Sequence, residues 1–142
     1  MEEWVAAETN THQDHVIAHV IGATVVGFFA WDETAYLLLD IGFIWNIYLD
    51  GEMGLVPQSQ AINELEASED FKRALRSDID VLARDPGDSG LQQLSIPLGR
   101  SPILTVDFEQ SGNSRRLVII CEESTLVVET SLDSAEVQIY EG

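Results

Sequence analysis

The first 71 residues of this 142-residue chain contain no lysine and no arginine, although they carry 13 acidic residues. All seven basic residues fall within 72–116, and 25 acidic residues bring the formal net charge to −18. Nucleic-acid binding depends on Lys and Arg contacts that release counterions, and this chain has few to offer. Anionic membranes are disfavoured for the same reason. We therefore expect neither nucleic acid nor a membrane as a partner.

Cysteine is nearly absent, since Cys121 is the only one. It cannot form an internal disulfide, and its place in the apolar run 117–121 predicts a buried side chain. A catalytic thiolate needs positive charge beside it, whereas Arg115 and Arg116 lie at the start of the predicted strand. One unpaired cysteine suits a reducing cytosol, so we expect a cytoplasmic protein.

No hydrophobic run reaches the length of a membrane-spanning helix. The most apolar stretch, residues 16–31, is interrupted by His19 and falls short of the roughly 20 residues such a helix needs. No Lys or Arg flanks it to set an orientation. The chain opens Met1-Glu2-Glu3, the opposite of a cationic signal-peptide start. The apolar runs are therefore expected inside the protein or at an oligomer interface.

The residues that are present indicate an antiparallel meander in the first third of the chain. After a loose lead-in over residues 1–14, residues 15–29 are apolar in both alternating phases and rich in β-branched side chains, which predicts a long strand. A turn is expected at residues 32–34 and a hairpin at Asp50-Gly51. Further strands are predicted at 35–39, 43–49 and 53–56.

The middle of the chain has a helical period, and the last third is again β. Apolar residues within 58–84 repeat at three and four, which predicts one short and one longer helix, or a single kinked one. Ser68 is expected to cap the longer one and Asp85-Pro86-Gly87 to end it. Residues 88–101 are predicted to form a loop. The remaining strands are expected at 103–110, 117–121, 126–129 and 137–140.

In the strand over 103–110, Leu104, Val106 and Phe108 are predicted to share the core-facing side. Two β-meanders that flank a central helical segment indicate a single α+β domain over residues 1–142, with the helices packed on the antiparallel sheet.

All three histidines lie within eight residues, at His12, His15 and His19. On a helix they would share one face and could begin a site for a divalent metal. On the predicted strand, His15 and His19 would be about 13 Å apart, at about 3.3 Å per residue. One Zn²⁺ with bonds of about 2 Å could not bridge them. The metal hypothesis therefore requires a helix here, or a further ligand from elsewhere.

Three residues within apolar strands are candidates for a binding site, namely Asp40, Trp45 and Asn46. A buried Asp or Asn needs a hydrogen-bond partner, and a buried Asp often marks a functional site. Tryptophan is frequent at interface hot spots. The alternatives are a turn aspartate at Asp40 and core packing for Trp45. Asp78, Asp80, Asp85 and Asp88 form an acidic cluster that does not fit an EF-hand loop. A solvated face is expected there, and weak cation binding is the alternative.

The sequence favours a non-enzymatic, acidic protein-binding or adaptor domain of a bacterial cytosolic type, without a cofactor or catalytic residues. Such a charge attracts a basic protein partner. The apolar strand surface also predicts a homo-oligomer such as a dimer. The alternative hypothesis is a small metal-dependent module or enzyme that uses the three histidines. A third is a small-ligand pocket between sheet and helices, for which the sequence offers no specific sign.

Overall fold

The computed structural model describes residues 3–48, 52–84, 94–95, 101–131 and 137–142. These ranges form two antiparallel sheets and three helices, which confirms the predicted α+β fold. The four-stranded sheet has the order β2-β3-β4-β5, with β2 (Val25–Trp31), β3 (Thr34–Leu39), β4 (Phe43–Tyr48) and β5 (Met53–Pro57). The five-stranded sheet has the order β1-β6-β7-β8-β9, with β1 (Val5–Ala6), β6 (Ile103–Ser111), β7 (Ser114–Cys121), β8 (Thr125–Ser131) and β9 (Val137–Glu141). The helices are α1 (Thr11–Val20), α2 (Gln58–Asn63) and α3 (Glu69–Arg84).

The two sheets pack face to face and enclose the larger hydrophobic core. Alternate residues of neighbouring strands point inward, because successive side chains of a strand point to opposite faces. Leu37 and Leu39 of β3 thus meet a layer that includes Leu117 and Ile119 of β7. Helix α1 joins the same core through Val16 and Val20.

The four-stranded sheet is covered on its second face by α2 and α3. A second cluster joins Leu38 of β3 and Ile44 of β4 to Leu75 and Leu82 of α3. All six residues of β3 are consequently buried. The fold therefore has three layers: the helices α2 and α3, the four-stranded sheet and the five-stranded sheet. The predicted packing of helices on a sheet is present on the four-stranded sheet.

The helical period and its cap are confirmed. The amide of Phe71 donates to Ser68 Oγ at 3.2 Å, which satisfies one of the free N–H groups at the start of α3. The predicted turn at residues 32–34 is also present between β2 and β3. Asp32 and Glu33 take positive φ angles of 49° and 63°, as a tight two-residue hairpin turn requires.

The strand predicted over residues 15–29 is wrong in its first half, because α1 extends to Val20 and β2 begins at Val25. The loose lead-in over residues 1–14 is wrong as well, since β1 pairs with β6 and α1 begins at Thr11. A capping box fixes the helix start: Asn10 Oδ1 accepts from the Gln13 amide, and Gln13 Oε1 accepts from the Asn10 amide.

The alternation predicted for β6 fails at Leu104. The pairing of β6 with β7 shifts register between Ile103 and Thr105, so Leu104 is an extra residue at a bulge. Ile103 takes the buried position instead, and Leu104 is 56% exposed. Val106 and Phe108 do contact the core as predicted.

Several predicted turns lie outside the described residues, namely Asp50-Gly51, Asp85-Pro86-Gly87 and most of the loop over 88–101. The strands on either side of Asp50-Gly51 pair antiparallel, from Ile47 with Met53 to Phe43 with Pro57. In the described part of the chain, no helix combines the length and apolar character needed to cross a membrane.

Candidate functional site

The three predicted binding residues do not form a common surface. Trp45 is fully buried between the two sheets. Asn46 is buried at the next position of β4, where it pairs across the sheet with Tyr36 on the helix-facing side. Asp40 is exposed at the end of β3, and its Oδ1 accepts a hydrogen bond from the Thr24 amide at 2.9 Å. Asp40 therefore fixes a turn at the surface, whereas Trp45 and Asn46 are buried.

Two polar atoms of β4 are buried without a partner among the described residues, Trp45 Nε1 and Asn46 Oδ1. Each unsatisfied group costs about 1–3 kcal/mol relative to a hydrogen-bonded one. Both atoms therefore lower the stability of the fold.

Helix α1 places all three histidines at helical spacing, and two of them bond to backbone carbonyls. His12 Nε2 donates to the carbonyl of Met53 at 3.0 Å, and His19 Nδ1 donates to the carbonyl of His15 at 3.3 Å. Within the ranges that the structure describes, no three His, Cys, Asp or Glu side chains are grouped so that they could hold a metal ion. The divalent-metal site at these histidines stays a prediction.

The only cysteine lies in the core, as the apolar run predicts. Cys121 is 7% exposed and belongs to the cluster between the sheets. Burial raises the pKa of its thiol, because the charged thiolate loses its hydration; a hydrogen bond from Ser124 opposes this effect. The thiolate needed for nucleophilic chemistry is therefore disfavoured in the folded protein.

We expect iodoacetamide at pH 8 to alkylate Cys121 at least about tenfold more slowly in native protein than in guanidinium-unfolded protein, because both burial and the raised pKa suppress the thiolate. Mass spectrometry measures the rate. The control is a Cys121→Ser, Ser59→Cys double variant, whose new thiol occupies an exposed position and should react at similar rates in both states. Equal rates for native and unfolded wild-type protein would contradict the buried position of Cys121.

The five-stranded sheet has one face in the core and one face that no helix of the described chain covers. We call the second the outer face. Its side chains are those that alternate with the core-facing positions of four strands. They are Thr105, Asp107, Glu109, Arg116, Val118, Ile120, Thr125, Val127, Glu129, Gln138 and Tyr140.

One arginine lies between two carboxylates on this face. The register pairs Arg116 with Glu109 on one side and with Glu129 on the other. Arg116 Nε donates to Glu109 Oε1 at 2.6 Å, and both side chains are 26% exposed. The hydroxyl of Tyr140 donates to Glu129 Oε1 at 3.0 Å. Arg116 thus holds the Glu109 carboxylate, and the Tyr140 hydroxyl holds the Glu129 carboxylate. Two carboxylates and one guanidinium leave a net charge of one negative unit in this group.

Trp4 also lies on this face, immediately before the edge strand β1. β1 pairs with β6 through Val5 with Gln110 and Ala6 with Glu109. This pairing brings the Trp4 ring over Arg116, with 4.2 Å between the guanidinium carbon and the ring centroid. Such a cation–π contact is worth about 0.5–2 kcal/mol. Two aromatic side chains of the outer face therefore contact the charged row: Trp4 lies over Arg116, and Tyr140 donates to Glu129 from the neighbouring row.

The charges of this row act on Tyr140. Burial of the ring raises the pKa of Tyr140, and so do the hydrogen bond to Glu129 and the charge of that carboxylate, whereas Arg116 lowers it. The net direction is upward, so the phenol keeps its proton and remains a hydrogen-bond donor to Glu129. Asp107 lies exposed in the adjoining row, and Glu122 and Glu123 lie exposed in the turn between β7 and β8.

No protein-family model matches this chain, and neither a curated protein nor a solved structure matches it. The physical properties of the outer face are therefore the basis for assigning a function.

Proposed function

We propose that the chain is an acidic protein-binding module whose outer face binds a basic segment of a partner protein. The observation that carries this proposal is a sheet face on which the described chain packs no helix, and on which carboxylates outnumber cations. Three acidic side chains and one arginine lie on it. The predicted cytoplasmic adaptor role and the absence of a cofactor remain part of the proposal.

Long-range charge supports a basic partner. A net charge of −18 attracts cationic proteins and accelerates their association, in a manner that salt weakens. The Debye length is about 8 Å at physiological ionic strength, so the final docking depends on local charges. The exposed carboxylates of Asp107, Glu122 and Glu123 supply those local charges around the outer face.

Short-range contacts support the same surface. Val118 and Ile120 are half-buried in the middle of the outer face, and Tyr140 is 39% exposed at its edge. Aromatic anchors beside apolar side chains, surrounded by polar groups, are typical of residues that dominate binding energy at protein interfaces. A partner strand with alternating Lys and aliphatic residues would match the alternation of this face.

A second copy of the chain fits the outer face less well than a basic partner does. Two such faces would bring like charges together, and each copy carries −18 overall. The predicted homo-oligomer stays a prediction, and light scattering at several protein concentrations measures it.

The test uses a synthetic peptide with alternating Lys and Val, and fluorescence anisotropy measures its binding to the full chain. We expect an Asp107→Asn, Glu129→Gln double variant to bind the peptide about tenfold more weakly, which corresponds to about 1.4 kcal/mol. The matched control is Glu66→Gln with Asp70→Asn, which removes two exposed charges on the helical side of the molecule. Circular dichroism verifies that both variants fold.

The two double variants have the same net charge, so they separate a local site from general attraction. Less than twofold weakening in the control, together with strong weakening in the outer-face variant, supports the proposal. Equal weakening of peptide binding in both variants would overturn the local site, because the binding would then depend on net charge alone. Absence of peptide binding at 50 mM NaCl, or binding that appears only with self-association of the chain, would overturn the outer face as a basic-partner site.

A further inference from the structure

The second face of the four-stranded sheet carries a cavity of about 300 Å³ beside α3. Its walls are apolar and come from three elements: Val26 of β2, Leu38 of β3, and Ile79 and Leu82 of α3. This volume lies at the lower end of the range typical of small-molecule sites, about 300–1,000 Å³. An apolar body the size of a phenyl ring or a short branched alkyl chain fits such a space.

The one charged side chain in the described lining of this cavity is negative. Asp40 and Gln58 are the only polar side chains in its described lining. Asp40 is held in place because its Oδ1 accepts from the Thr24 amide at 2.9 Å while its own amide donates to the Thr24 carbonyl at 3.0 Å. Gln58 Nε2 donates to the Leu39 carbonyl at 3.4 Å.

We propose that this cavity binds a small organic cation, a primary ammonium group attached to a compact apolar body. The apolar walls would take the body and the Asp40 carboxylate would take the ammonium group. Lys and Arg are absent from the described lining, and the chain carries −18, so an anion of the same shape is repelled. This site lies on the other side of the four-stranded sheet from the sandwich core and does not depend on the proposed outer-face function.

Asp40 is exposed, so water screens its attraction and the apolar walls contribute a comparable share of the affinity. Binding should consequently need both parts of the ligand. A neutral alcohol of the same shape is expected to bind more weakly than the amine, and a carboxylate more weakly still.

The experiment titrates the full chain, labelled with ¹⁵N, with phenethylamine, 2-phenylethanol and 3-phenylpropanoate, and follows amide shifts by NMR. We expect phenethylamine to bind most tightly, with shifts at residues of α3 and the turn after β3. Asp40→Asn keeps the oxygen that accepts from Thr24, and it should weaken phenethylamine about tenfold. Asp107→Asn, on the outer face, removes one charge elsewhere and should leave this affinity unchanged.

A wall variant completes the test. Ile79→Trp fills the cavity and should abolish the amide shifts with all three compounds. If this variant does not fold, the comparison of Asp40→Asn with Asp107→Asn tests the site on its own. Equal affinity for amine and carboxylate, or equal effects of Asp40→Asn and Asp107→Asn, would overturn the proposal. Absence of shifts with phenethylamine would overturn it too, and it would leave the basic-peptide test on the outer face unaffected.

Discussion

Replacing Asp78 with alanine is expected to lower the free energy of unfolding by about 3 kcal/mol, the upper range for hydrogen bonds that involve a charged group. Asp78 is 1% exposed on α3, and its Oδ2 accepts from the Leu94 amide at 3.0 Å. Leu94 is itself buried in the cluster between the helices and the four-stranded sheet. The substitution would leave a buried amide without its acceptor and would release Leu94 from the core.

Urea unfolding at neutral pH, followed by circular dichroism, measures this loss. Glu66→Ala is the control, because it removes an exposed carboxylate and should cost less than about 0.5 kcal/mol. Asp78→Asn keeps the shape and an acceptor oxygen, so its cost should lie between those of the two alanine variants. If Asp78→Ala and Glu66→Ala unfold at the same urea concentration, the carboxylate does not hold Leu94 in solution.

Leu37→Ala and Leu38→Ala are each expected to cost about 3 kcal/mol, within the range measured for buried leucines. The two residues are neighbours on β3 and point to opposite faces, with Leu37 in the core between the sheets and Leu38 in the core under the helices. They are 0% and 1% exposed. In a sheet with one solvated face, only one of two adjacent positions would be this sensitive.

The same measurement on Leu104→Ala supplies the control. Leu104 lies at the bulge of β6 with 56% of its surface exposed, so its removal should change the free energy of unfolding by less than about 0.5 kcal/mol. A large effect at only one of Leu37 and Leu38 would contradict the three-layer arrangement. A large effect at Leu104 would contradict the bulge.

The sequence predicts those parts of the fold that depend on local patterns. The strand period and turn residues locate β3, β4 and β5, and the helical period and Ser68 locate α3. The sequence does not predict helix α1, because an apolar stretch with hydrophobic residues in both phases fits a strand and a helix equally well. The capping signal was nevertheless present, since Asn10 is followed by Gln13 three positions later.

The candidate site was beyond sequence reasoning because it depends on register. Trp4, Glu109 and Arg116 become neighbours only through the pairing of β1 with β6 and of β6 with β7. The solvated face predicted for Asp78 is wrong, because the side chain is 1% exposed and bonds the amide of Leu94, sixteen positions further along. Patterns within a short window carry no information on such long-range partners.

Helix α1 also lies against β5, which is an edge strand of the four-stranded sheet. An open strand edge exposes N–H and C=O groups that can template aggregation with another molecule, and many proteins protect it with lysine. The first 71 residues contain no lysine, so this common device is missing around β5. The His12 side chain instead occupies the carbonyl of Met53 on that edge, and α1 lies against the strand. The ten-residue helix thereby covers part of this edge, which leaves fewer of its backbone groups open to pairing with a strand of another molecule.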